Sequence, residues 1–134
     1  MTGRQLPAWA RRRRRDVLDP GILEALSAAM AAGDDEAVRA VLHPHVELVI
    51  DSGDDRPEPA ATPGADGREA AVTALRALAA SDITILMASV NGLPGLLLAR
   101  GDEIVAVLTA DVRDGLLSNV WVVCNPDKLR HWNG

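Results

Sequence analysis

Two aspartates stand where a base could work. Asp51 ends the alternating stretch HVELVID, and Asp111 lies in EIVAVLTADVR, where a two-residue period puts it on one side with Val105, Val107 and Thr109. A carboxyl among such side chains has its pKa raised by burial, which poises it to remove a proton next to a carbonyl or to activate water. The alternative is that each aspartate ends its strand in solvent. The remaining inventory is sparse. His43 and His45 flank Pro44 with no helix to align their rings and no cysteine close by, so they read as helix-end histidines in solvent, and His131 sits in the tail; no metal site is expected. Cys124 is the single cysteine, inside an apolar run, which excludes a disulfide framework, reads as a small core hydrophobe and fits a reducing cytoplasm. Tyr and Phe are absent and only Trp9, Trp121 and Trp132 are aromatic, so a phenolic oxyanion donor and base-stacking platforms are missing. No cofactor is expected.

With 134 residues, 48% hydrophobic and 25% charged, the sequence has the length and composition of one globular domain able to bury a core without disulfide or metal staples. No apolar run approaches the roughly 18 to 20 residues that span a bilayer, so no membrane role is expected. The net charge of −5 hides an asymmetry. Arg4 and the run Arg11, Arg12, Arg13, Arg14 and Arg15 hold six of the fourteen bases, and the chain beyond Arg15 carries 19 acids against 8 bases, a balance of −11. The run is either an electrostatic contact for nucleic acid or an acidic protein, or a solvated leader; nucleic acid is not expected to bind elsewhere. The adjoining DVLDPGILEALSAAM is charged and helix-capped, unlike the apolar core of an export signal. Residues 1 to 18 therefore read as a flexible basic leader and residues 19 to 134 as one domain.

The elements that must position the candidates can be read from punctuation and period. Asp19 and Pro20 open a helix over residues 20 to 32, with Ile22, Leu23, Leu26 and Met30 on one face, until Gly33 stops it. A second helix starts at Asp34 and Asp35 and must stop near His43, before Pro44. Residues 45 to 51 alternate as a strand, and residues 52 to 67 form a turn-rich loop with a short edge strand near 57 to 60. Asp66 and Glu69 resemble a capping box for a third helix carrying Val72, Leu75 and Leu78. Four strands come next, near 82 to 90, 94 to 100, 103 to 112 and 116 to 124, separated by Asn91-Gly92, Gly101-Asp102 and Asp114-Gly115, all hairpin chemistry. The expected class is α+β, a curved, mostly antiparallel sheet wrapped around three helices, whose concave face is filled by side chains or by a ligand. Trp121 shares a side of the last strand with Val123, and either side can be the concave one.

The order of elements, with ALSAAMAAGDDEAVRAVLHPHVELVID and the closing DVRDGLLSNVWVV, resembles the nuclear-transport-factor-2-like superfamily in its SnoaL-like branch over residues 19 to 124. Within it, the sequence is most similar to the C-terminal domain of some extracytoplasmic-function sigma factors. Those domains carry SVNG.P, a strand ending VRDG and a terminal NPDKL, matched here by Ser89 to Gly92 with Pro94, by Val112 to Gly115, and by Asn125, Pro126, Asp127, Lys128 and Leu129. The resemblance implies a cone-like sheet, a homodimer paired through the outer sheet face, and a tail that docks on a protein partner; the other reading is that Asn125-Pro126 turns the chain while Leu129 and Trp132 cover the core edge. Two departures stand out. The family's glycine-rich loop with a lysine is here the acidic DSGDD, and no sigma regions precede the domain, so a stand-alone module is expected.

SnoaL-like relatives include polyketide cyclases, ketosteroid-isomerase-like enzymes and epoxide hydrolases that use a pocket Asp or Asp–His pair. The resemblance thus implies a rival reading, an enzyme with Asp51 or Asp111 as general base. Against it, VAVLTA and LPGLLLAR put aliphatic side chains where such enzymes need polar ones. The sequence therefore points to a cytoplasmic module binding a small apolar molecule or a protein partner, with Met87, Asn91, Val107, Thr109 and Trp121 as ligand contacts and Asn125 to Leu129 as partner contacts.

Overall fold

Helix α1 (Pro20–Ala32) begins where Asp19 Oδ1 accepts the Gly21 N–H at 2.9 Å and Pro20 needs no partner for a donor. Gly33, at φ +67°, ends it. In the computed structural model, residues 18 to 53, 58 to 62 and 67 to 133 are described; the basic leader and Asp66 lie outside them. Helix α2 (Asp35–Val41) is capped by Asp34, whose side chain accepts the Ala37 N–H at 3.1 Å. It stops at Val41, two residues short of the expected end, and strand β1 (Leu42–Asp51) starts at once. Pro44 therefore lies inside the strand. It falls between Leu42, which pairs with Leu117, and Glu47, which pairs with Asn119, in an irregular stretch that asks no N–H of it. This early start also buries His43, against the expectation of a solvated ring: its Nδ1 accepts the His45 N–H at 3.0 Å, and Nε2 lies 3.6 Å from Asp114.

The chain continues through β2 (Glu58–Ala61), α3 (Gly67–Leu78), β3 (Ile83–Val90), β4 (Leu93–Arg100), β5 (Glu103–Arg113) and β6 (Leu116–Val123). Asn91 and Gly92, and again Asp114 and Gly115, hold positive φ at both turn positions, the backbone that lets a tight hairpin match the twist of its strands. The result is one open, curved six-stranded sheet in the order β2-β1-β6-β5-β4-β3. Every neighbouring pair is antiparallel except β1 with β6, which is parallel.

Helices α1 to α3 cover one face of this sheet, the inner face. Leu23, Leu26, Val72 and Leu75 from the helices meet Leu48, Leu96, Leu98, Leu108, Val120 and Val122 from the strands, none more than 2% exposed. Outside, the Arg39 guanidinium reaches from α2 to both oxygens of Glu69 on α3, and Arg76 of α3 returns to Asp35. These pairs are exposed and set helix orientation more than they stabilise it.

The tail holds an element that was not expected. Residues Pro126–Asn133 form helix α4, with Asn125 Oδ1 accepting the Asp127 N–H at 3.0 Å. It lies on the outer face, where Leu129 joins Val90 and Val107 in a second, smaller core flanked by Leu97, Val123 and Trp132. At its end the Asn133 side-chain amide pairs with both the N–H and the carbonyl of Ile104, at 2.7 and 3.0 Å.

Leu108 tests the packing of the inner face. Leu108→Ala is expected to lower unfolding free energy by about 2 to 5 kcal/mol in urea titrations with an unchanged slope. A loss under about 1 kcal/mol would show that the inner face is not filled as described.

Candidate functional site

Cross-strand partners point to the same side of a sheet, so the register assigns the outer face row by row. Glu47, Asn119 and Asp111 form one row across β1, β6 and β5; Val49, Trp121 and Thr109 form the next; Asp51, Val123, Val107, Leu97 and Leu86 form the third. The first two rows floor an open cleft of about 460 Å³, walled by Val90, Asn91 and Leu93. Trp121 is 43% exposed there, a large indole left uncovered. Glu47 is held by Asn119, whose Nδ2 donates to Oε1 at 3.2 Å.

Of the five expected ligand contacts, Asn91, Thr109 and Trp121 line this cleft. Val107 does not, because α4 covers it. Met87 pairs with Leu96 and so shares the inner-face parity, at the margin of the sheet. Asp111 does line the cleft, but it is exposed instead of buried among apolar neighbours. The expected grouping also changes at its other end, where a register skip between Leu98 and Ala99 removes Val105 from the side of Val107 and turns it toward the main core. Glu47 and Asn119 went unnoticed in the sequence; pairing between distant strands places them with Asp111, and no local pattern shows that.

Asp51 has a different fate. It is 4% exposed, yet its carboxylate is fully engaged: Lys128 Nζ lies 2.6 Å from Oδ2, and the Gly53 N–H donates to Oδ1 at 3.2 Å. The Lys128 hydrogen bond outweighs the opposing effect of burial, and with the Gly53 N–H and the Lys128 charge it holds the carboxyl below its ordinary value of 3.8. The expected upward shift is thus reversed. An ionised carboxylate with a lowered pKa and a hydrogen bond on each oxygen is a poor base at neutral pH.

The same pair joins the two segments that the sequence singled out separately, the loop after β1 and the NPDKL tail. Gly53, at φ +95°, sits so close to Asn125 that an added Cβ would come within 3.1 Å of its Oδ1. The five tail residues divide accordingly. Asn125 caps α4, Pro126 opens it, Asp127 pairs with Arg130 at 2.8 Å, Lys128 holds Asp51 with its chain still well exposed, and Leu129 is buried in the second core. A further concavity of about 480 Å³ lies between α4 and β5, bordered by Ile104, Cys124, Leu129 and Arg130. Burial there, and the nearby Asp51 charge, push the Cys124 thiol up, away from a reactive thiolate. Among the described residues no group of three His, Cys, Asp or Glu gathers as metal ligands, and no helix is long and apolar enough to cross a membrane.

Comparison with solved structures places this architecture. An NTF2-like protein from Cytophaga hutchinsonii matches 85% of this chain and 96% of its own at 11% identity, with a TM-score of 0.54. The extracytoplasmic-function sigma factor SigJ of Mycobacterium tuberculosis matches 81% of this chain at 26% identity, with a TM-score of 0.55. The fold is nuclear-transport-factor-2-like, of the SnoaL-like kind. IdmH of Streptomyces antibioticus, a proposed polyketide cyclase, shares this SnoaL-like fold over 85% of the chain and 97% of its own, at 17% identity and a TM-score of 0.52. The chain spans well under half of the sigma factor, 42% of that protein. No protein-family model and no curated relative matches the sequence.

The Asp51–Lys128 pair has a pH signature. Because the folded carboxyl titrates below 3.8, the pair contributes stability above that value, and the contribution is lost as pH falls through the lowered one. Asp35 and Glu69, held down by Arg76 and Arg39, act with the same sign. Lys128→Met leaves burial as the main influence on Asp51, so its carboxyl carbon, followed by NMR, is expected to titrate at higher pH than in the wild type. An unmoved titration would mean that the pair does not form in solution.

Proposed function

We propose that this chain is a binding module that takes a small, largely apolar ligand in the outer-face cleft, in an accessory or regulatory role, and does not itself catalyse. The supporting observation is the distribution of space. The inner face, between sheet and helices, is filled by Leu and Val, whereas the cleft floored by Trp121 stands open on the other side. A cleft of about 460 Å³ falls within the range of small-molecule sites, roughly 300 to 1,000 Å³. Its floor sets Val49 and Trp121 beside Glu47, Asn119, Asp111 and Thr109, with Asn91 at the wall, and so suits a ligand that buries an apolar part against the indole and is oriented by a few hydrogen bonds. The sigma-factor likeness supports the regulatory role, with the joined loop and α4 presenting Asp127, Lys128 and Arg130 to a protein partner.

Asp111 favours a second reading. It opens into the same cleft, exposed and within reach of a bound molecule, so a SnoaL-like enzyme would use it as general base. Its weakness is the lack of an oxyanion donor beyond the amide groups of Asn91 and Asn119.

A naphthalene-based apolar fluorophore, titrated against the wild type and Trp121→Ala, separates the readings when paired with an exchange experiment. Loss of the indole is expected to weaken binding by up to roughly tenfold. A small aromatic ketone incubated with the wild type in D2O is expected to gain no deuterium at the carbon next to its carbonyl beyond the protein-free rate. Exchange that Asp111→Asn abolishes would establish the enzyme reading, and a Trp121→Ala variant that binds the fluorophore unchanged would remove the cleft as the site.

A further inference from the structure

The row Glu47, Asn119 and Asp111 brings two carboxylates to the floor of the outer-face cleft, and no lysine, arginine or histidine lines it. Among the described residues neither acid has an ion-pair partner. The Asn119 Nδ2 donates to Glu47 Oε1 at 3.2 Å, which leaves Asn119 Oδ1, the other Glu47 oxygen and both Asp111 side-chain oxygens without a partner among the described residues. The row therefore offers acceptors in excess of donors. Arg113, two residues beyond Asp111 on β5, and His45, two residues before Glu47 on β1, do not line the cleft. Acids alone are ordinary on a chain of net charge −5; these share a cleft with an indole that is 43% exposed.

We propose that the cleft selects a protonated amine carried on an apolar body, an inference that rests on the cleft being the ligand site. Register sets the distances. Neighbouring strands run about 4.8 Å apart, so the backbones of Glu47 and Asp111 stand roughly 10 Å apart with Asn119 midway, and Trp121 follows Asn119 by roughly 7 Å along β6. An ammonium above Asn119 is thus within reach of both acidic side chains and of the indole, the aromatic ring that best attracts a cation. It donates to Glu47, Asp111 and Asn119 Oδ1, while the apolar part of the molecule lies against Trp121 and the wall of Val90 and Leu93. An alcohol of the same shape has one donor for these acceptors and no charge, and a carboxylate meets two like charges. Both acids are exposed, so salt screens the attraction and the preference is moderate.

Naphthylmethylamine, naphthylmethanol and naphthylacetate, one ring with a cationic, a neutral and an anionic arm, test it when titrated into the full chain at neutral pH and low salt and followed by backbone amide NMR. The amine is expected to bind about five- to tenfold more tightly than the alcohol, with the acetate weakest, and the cleft amides are expected to shift most. Glu47→Gln and Asp111→Asn are each expected to cut the ratio of amine to alcohol affinity by about two- to threefold, and added salt to lower it in the same direction. Glu24→Gln removes an exposed acid of α1, on the opposite side of the sheet, and is expected to leave the ratio unchanged. Amine and alcohol binding equally, both weakened by Trp121→Ala, would keep the cleft as the ligand site and overturn its preference for a cation. A ratio that Glu24→Gln lowers as much as Asp111→Asn does would overturn it too, because the preference would then belong to the net charge of the chain. If no probe shifts the cleft amides, the cleft itself falls as the ligand site and the preference falls with it.

Discussion

The parallel pairing of β1 with β6 is the contact through which the rest of the molecule is assembled. The β3 to β6 meander arises from local hairpins, two of them closed by paired residues at positive φ, and could form without help from the first half of the chain. Helices α1 and α2, by contrast, are tied to the sheet in sequence by β1, the strand that succeeds them directly, while α1 packs across onto β3 and β4. When β1 lies alongside β6, Leu48 and Ile50 join Val120 and Val122 on the inner face, and Glu47 and Val49 join Asn119 and Trp121 on the outer one. A slip of one residue would exchange these sets and put a glutamate in the core. The irregular stretch around Pro44 absorbs the mismatch between the start of β1 and β6, so the register is imposed from Glu47 onward.

Composition decides how the inner face is filled. With no Phe and no Tyr, the space between the sheet and three helices has to be occupied by aliphatic side chains, which interdigitate closely and carry no polar tip to line a pocket. Leu96, Leu98 and Leu108 lie side by side on adjoining strands beneath Leu23 and Leu26, and the face closes. Among the described residues both tryptophans stand on the outer face, where Trp121 floors the cleft and Trp132 flanks the second core. The side of the sheet that gains a concavity is therefore the side where the large side chains stand upright and α4 covers only one end.

Much of this was legible in the sequence, and the misses have identifiable causes. The helices at residues 20 and 35, the edge strand and the four meander strands could be read because caps, prolines and turn glycines act locally. Helix α4 escaped because its polar stretch at the chain end, with Leu129 and Trp132 as its only large apolar side chains, reads as a tail, although Asn125-Pro126 repeats the cap-then-proline grammar of Asp19-Pro20. The solvated reading of His43 failed because β1 starts three residues earlier than its alternation suggests, in response to Leu117 on a strand some seventy-five residues away. At the site, alternation placed Glu47, Val49 and Asp51 together, but which residues of β5 and β6 joined them depended on register and on two bulges, both long-range properties.

Asp51 shows how one residue can satisfy the sequence pattern for a base and still be unavailable as one. Alternation along β1 puts it on the outer side near the strand end, and burial alone would lift its pKa toward a useful range. Its backbone carbonyl, however, accepts the Cys124 N–H at 2.7 Å, which brings the chain out of β6 beside it and starts α4 within reach. Lys128, in the first turn of that helix, then lands on the carboxylate. Keeping α4 seated and keeping Asp51 free as a base are thus incompatible in this arrangement, since the lysine that helps to anchor the helix also holds the carboxyl ionised. Asp111 has no such neighbour on an added helix; it remains exposed because its row ends where α4 does not reach. Of the two aspartates that looked alike in the sequence, one has become part of the fold and the other remains open to whatever the cleft admits.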